Sequence, residues 1–146
     1  MHPQLHISYL AIFAAVVASF VFSWLWHGPL FGRKWAALMR MPADFRPERK
    51  ALLRSLALQL LGTFLMAYVL AHSGEVWRAS VWGTGADEPF YVYGFFNAFF
   101  TWIGFFVPML LASVAWEGRP WALFGLNAAY HFINLQIMAM ILAFWR

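Results

Sequence analysis

Asn127, Tyr130, His131 and Asn134 stand inside the last apolar run of the chain, Trp121–Arg146. At 100° per residue they fall within about 100° of one another, on one face of a helix. Two amides, a phenol and an imidazole on one face offer donors and acceptors to a polar ligand, and the imidazole could relay a proton. In lipid such groups are turned away from hydrocarbon and satisfied by a neighbouring helix or a wet cavity. The same face therefore has a plainer reading, as interhelical hydrogen bonding that only fixes packing. His131 lies ten residues past Trp121, which is about 15 Å along a helix and close to mid-bilayer.

Such a face needs a partner. Asn97 and Thr101 belong to the preceding apolar segment and enter from the opposite side to a similar depth. Gly94, Asn97, Thr101, Gly104 and Pro108 line one side of that segment, and Phe95, Phe99, Trp102 and Phe106 the other. The expectation is a polar seam between the third and fourth segments. Gln59 and Thr63 of the second segment contribute to it. Together Asn97, Thr101, Asn127, Tyr130, His131, Asn134 and Gln59 form the candidate ligand-binding set.

A second constellation sits in the turns. Trp26, Gly28 and Pro29 lead into Arg33 and Lys34, and Glu117 and Arg119 flank Gly118. These cations beside a turn suit an anionic lipid headgroup. Read structurally, Glu117 and Arg119 clasp the turn or cap the helix ends.

Catalytic signatures are missing from the sequence: there is no nucleophile elbow, phosphate-cradling glycine loop or paired intramembrane carboxylate. The absence of cysteine excludes disulfides and thiolate chemistry. His2, His6 and His72 are expected on one side of the membrane, His27 on the other and His131 between them. No metal or other cofactor is called for, and an enzyme is the third choice of function.

The elements that position these residues follow from composition. Of 146 residues 63% are hydrophobic and 11% charged, where a soluble domain carries about 25% charged. Apolar segments of spanning length run over 7–26, 52–72, 90–115 and 121–145. Ser8, Ala15, Ser19 and Ser23 share a face of the first, a stripe of small residues suited to close helix packing. Gly28-Pro29 and Gly32 are expected to end that helix. Residues 33–41 form a basic, amphipathic stretch that can lie on anionic lipid. Ten of the seventeen residues Phe90–Phe106 are aromatic, and Pro108 is expected to kink that helix.

The net charge of +4 comes from one face of the molecule. Arg33, Lys34, Arg40, Arg46, Arg49, Lys50, Arg54 and Arg119 flank the first and third connections, leaving Arg78 and Arg146 opposite. Lys and Arg mark the cytoplasmic side. Both termini are therefore expected outside, and the basic charge calls for no nucleic acid. The fold class is all-α, a polytopic membrane protein in a single domain of four antiparallel transmembrane helices. The turns Trp26-x-Gly28-Pro29 and Trp116-x-Gly118-Arg119-Pro120 suggest two pseudo-repeated hairpins.

Those turn residues, with Phe31, Gly32, Trp35, Gly104-Phe105, Pro108, Asn127 and Tyr130, carry a family resemblance over essentially the whole chain. The sequence resembles the bacterial inner-membrane family known as domain of unknown function 1761. The resemblance implies a multi-pass protein of the inner membrane and no particular activity. Many members carry an aromatic such as Tyr where this chain has His27, so it assigns His27 no role. The leading expectation is binding or passage of a small solute, proton or lipid at the polar seam. The alternative is a non-catalytic scaffold or partner subunit. The expected partners are the lipid bilayer, anionic headgroups and a further copy of the chain, since four helices make a thin bundle for a pathway.

Overall fold

A computed structural model describes residues 2–145. Met1 and Arg146, the latter counted above with the outer charge, lie outside the described residues. The fold is all-α, with no strand among the described residues. Four helical stretches are long and apolar enough to cross a membrane: Tyr9–Leu30, Arg49–Val76, Phe90–Glu117 and Trp121–Phe144. In order the elements are α1 (Tyr9–Leu25), α2 (Gly32–Leu38), α3 (Arg49–Val76), α4 (Ala79–Trp82), α5 (Phe90–Thr101), α6 (Val107–Glu117) and α7 (Trp121–Phe144).

The first span begins where the Ser8 hydroxyl accepts a hydrogen bond from the Ala11 amide at 3.2 Å, an ordinary N-cap. It does not end at Gly28-Pro29 as expected. It continues through a π-helical turn, Trp26–Leu30, that contains Pro29. Proline offers no N–H to the carbonyl four residues back and its ring crowds that carbonyl. A wider turn absorbs the mismatch without breaking the rod. Gly32 then fits tightly, since a Cβ there would lie 2.5 Å from the His27 carbonyl oxygen.

The third span repeats the device. A π turn over Trp102–Phe106 joins α5 to α6, just ahead of Pro108. The kink expected from Pro108 thus takes the form of one widened turn. The second span starts three residues earlier and ends four later than the apolar run, because Arg49–Lys50 and Ser73–Val76 continue the helix beyond the hydrocarbon-like stretch.

The fourth span is the centre of the bundle. α7 packs against α1, α3 and α5, most extensively against α5. The α5–α7 contact is close and apolar: a Cβ on Gly94 would meet Met140 Sδ at 2.8 Å and Met140 Cα at 3.2 Å. The main core lies toward the chain termini, where Ala11, Ile12 and Ala15, Ala67 and Leu70, Ala98, and Leu135, Met138 and Ala139 meet. A smaller cluster of Trp26, Leu126 and Tyr130 closes the other end. Between them α3 diverges: from Arg49 to Gly62 every residue is exposed. The two cores grip opposite ends of α7, and the splayed half of α3 leaves a gap beside it.

An ion cluster ties the end near the termini. Arg78 and Glu75 pair at 2.8 Å with side chains only 5% and 7% exposed, and Asp87 lies 3.6 Å from Arg78. Arg78 also donates to the Ala143 carbonyl at 2.8 Å and sits over the Tyr93 ring. A buried pair of this kind holds only when its remaining donors are satisfied. Here that satisfaction links the second connection to the end of α7.

Candidate functional site

α1, α3 and α7 enclose an open cleft of about 650 Å³. Its polar lining comes from Ser23 and His27, from Gln59 and Thr63, and from Asn127, Tyr130, His131 and Asn134. Apolar walls are supplied by Phe20, Trp24, Trp35, Leu56 and Met66. None of the fourteen lining residues is Asp, Glu, Lys or Arg.

The sequence explains why these elements converge. On α3, Leu56, Gln59, Thr63 and Met66 recur at alternating three- and four-residue steps and share one face. On α7, Asn127, Tyr130, His131 and Asn134 likewise share one face. On the first span, Phe20, Ser23, Trp24 and His27 complete the set. The π turn then rotates Trp26 inward, where its ring meets Phe31 at 4.3 Å and Tyr130 at 6.0 Å.

Aromatic rings form a continuous series across the site. Trp35 meets His27 at 5.3 Å, His27 meets Tyr130 at 4.7 Å, Tyr130 meets His131 at 4.9 Å, and His131 meets Phe106 at 4.7 Å. Tyr130 also stacks on Phe22 at 5.6 Å. Edge-to-face and offset contacts at such spacing are favourable. Both π turns take part, one through Trp26 and His27, the other through Phe106.

Hydrogen bonding fixes part of the lining and leaves part uncommitted. Nδ1 of His27 lies 3.1 Å from the Ser23 carbonyl, so it is the donor in that bond. A neutral His27 therefore presents Nε2 as an acceptor. Gln59 Nε2 donates to the Ser23 hydroxyl at 3.3 Å. Asn134 is 2% exposed, and its Nδ2 makes only a long contact, 3.7 Å, to Met138 sulfur. Asn134 Oδ1 and His131 Nδ1 are buried without a hydrogen-bond partner among the described residues. A buried polar atom left unpaired costs about 1–3 kcal/mol, so two of them side by side on one helix face call for a reason.

The seam thus differs from the one expected. Gln59, Thr63 and the four residues of α7 come together, but against α1 rather than the third span. Asn97 and Thr101 lie elsewhere. Asn97 accepts from Ser73 at 2.8 Å and donates to the Leu70 carbonyl at 2.8 Å, and Thr101 donates to the Asn97 carbonyl at 2.7 Å. Both line a separate groove of about 560 Å³ between the second and third spans. The physical reason is the rotation of α5: Gly94 and Ala98 make the close contact with α7, which turns Asn97 and Thr101 toward the second span.

The turn residues also separate. Trp26 is buried in the smaller core, whereas Trp116 is 89% exposed, so the two turns compared above as a repeat are not equivalent. Gly28, Pro29, Arg33 and Lys34 are exposed around α2. Glu117 and Arg119 approach to 3.7 Å across Gly118, which takes φ +66°. That left-handed conformation is one glycine adopts without strain. Sequence reasoning missed His27, Ser23 and Trp35. His27 follows Ser23 by one helical turn, and extending the Ser8–Ser23 stripe by that turn would have found it.

A model for a family described as protein of unknown function (DUF1761) matches residues 10–143. The chain belongs to this family. Comparison with curated proteins and with solved structures gives no match. The DUF1761 match reaches into all four spans and includes every residue of the cleft.

Proposed function

We propose that the protein binds a membrane-soluble molecule with a small polar head in the cleft between the first, second and fourth spans. One observation carries this reading: a cleft of about 650 Å³ that holds an almost fully buried asparagine with an unpartnered oxygen, beside a histidine with an unpartnered nitrogen. The size suits a small-molecule site, and such sites combine apolar walls with a few convergent polar groups. The diverging half of α3 gives entry from the lipid side. Arg49 lies two helical turns from Leu56 on the same face, so a cation stands near the mouth. In this reading the membrane is the bacterial inner membrane and the basic end is cytoplasmic, since seven of the ten Lys and Arg lie between Arg33 and Arg54.

Gly62 provides the test. It lines the cleft, and a Cβ there meets nothing within 4 Å. Gly62→Phe should fill the cleft without disturbing the core. Lipid extracts of the wild type, purified in mild detergent and analysed by mass spectrometry, should contain a species reduced at least tenfold in the variant. Identical extracts from two equally folded proteins would refute the reading.

A further inference from the structure

Four features of the cleft restrict the chemistry of its occupant. First, its lining is uncharged, although Lys and Arg are plentiful at the same end of the molecule. A phosphate or carboxylate head would lie deep among amides with no cation in the lining, which is unfavourable in a low-dielectric setting. Second, six of the fourteen lining residues carry rings: Phe20, Trp24, His27, Trp35, Tyr130 and His131. Flat rings recognise flat rings. Third, donors and an acceptor stand in one space. Asn127 and Gln59 offer amide N–H groups and Ser23 a hydroxyl, while His27 offers Nε2 as an acceptor. Fourth, the opening lies beside the wholly exposed half of α3, where an apolar tail can remain in lipid.

We propose that the cleft binds an isoprenoid quinone or its quinol: a flat, uncharged ring bearing oxygens on an apolar tail. Quinone oxygens accept from the Asn127 and Gln59 amides. A quinol hydroxyl donates to His27 Nε2, which lets one site hold both forms of the ring. His131 and Asn134, whose Nδ1 and Oδ1 are buried and unpartnered, lie on the same helix face and line the inner wall of the cleft. This inference rests on the cleft being a binding site, and it narrows the ligand to one class.

The test uses the full chain in mild detergent with decyl-tailed benzoquinone and naphthoquinone as probes. Bound ring is measured by absorbance after gel filtration. The wild type should retain one ring per chain saturably. Gly62→Phe and Gln59→Leu should each bind at least tenfold more weakly, while Thr101→Val, outside the cleft, should bind as the wild type does. Gln59 is exposed, so its Leu variant retains the fold and keeps the test decisive if Gly62→Phe fails to accumulate. Equal retention by all four proteins, or none by the wild type, would overturn the proposal. If the extracts show instead a neutral lipid alcohol lost from Gly62→Phe, the cleft is a lipid site of another class and only the quinone assignment falls. If no lipid and no quinone distinguishes the wild type from Gly62→Phe, both readings fall.

Discussion

Asn134 sets stability against the proposed binding at a single residue. It is 2% exposed in the centre of the bundle, and its oxygen has no protein donor among the described residues. Leucine has nearly the same shape and no polar atoms. Asn134→Leu removes an unpaired group worth about 1–3 kcal/mol, so the ligand-free protein should become more stable. The expected outcome is a higher thermal midpoint in detergent together with weaker retention of the cleft's ligand. A fall in the midpoint would show instead that Asn134 makes a structural bond the bundle needs. His131 differs in kind, since its ring is already held between Tyr130 and Phe106. Its place on the polar face of the last helix was legible in the sequence. Its neighbours were not, because ring contacts between the first, third and fourth spans depend on how far each helix is rotated.

At the scale of elements, two π turns and one glycine contact set those rotations. Each π turn comes with a proline that lacks a helical N–H: Pro29 lies within the first, and Pro108 follows the second. Their position was legible in sequence as helix-breaking signals. Their outcome was not, because a proline alone does not decide between ending a helix and widening a turn. Packing of Trp26 and Phe106 against α7 decides it here. Gly94 sets the second relation. Its Cα faces Met140 and the Ala139 carbonyl so closely that any larger side chain meets backbone as well as sulfur. Gly94→Leu should push α5 off α7 and lower stability by about 1–3 kcal/mol, the usual cost of overpacking. Gly125→Ala, which meets nothing within 4 Å, should leave stability nearly unchanged or slightly raised. Thermal or denaturant unfolding of the two variants checks the contrast. A tolerated Gly94→Leu would mean that the two helices are free to separate.

At the scale of the whole molecule, charge and packing divide the bundle into unlike ends. The basic end carries the cleft and the smaller aromatic core. The other end carries the larger core and the Arg78–Glu75–Asp87 cluster. This asymmetry fits a molecule that is rigid near the termini and open near the basic loop. The orientation proposed from the Lys and Arg distribution is directly measurable, because the sequence has no cysteine. A membrane-impermeant maleimide should label Gly85→Cys in intact cells. Ala43→Cys should react only after lysis, since it lies in the basic connection. The reverse pattern would place the termini in the cytoplasm and turn the cleft toward the opposite face.

Composition and periodicity by themselves determined that the chain forms four helices long and apolar enough to cross a membrane, and which residues of the last helix are polar on one side. Those properties are local, because hydropathy and the 3.6-residue period act within a single helix. The tertiary structure alone decided what the polar face of α7 meets. Asn97 and Thr101 matched it in depth and polarity, yet they turn to the second span, because Gly94 and Ala98 are the residues of α5 that face α7. The place left for Asn127, Tyr130, His131 and Asn134 is the gap beside the splayed half of α3, with Ser23 and His27 on its far wall. Depth is written in one helix, whereas partnership depends on the rotation and spacing of several, which their packing sets together.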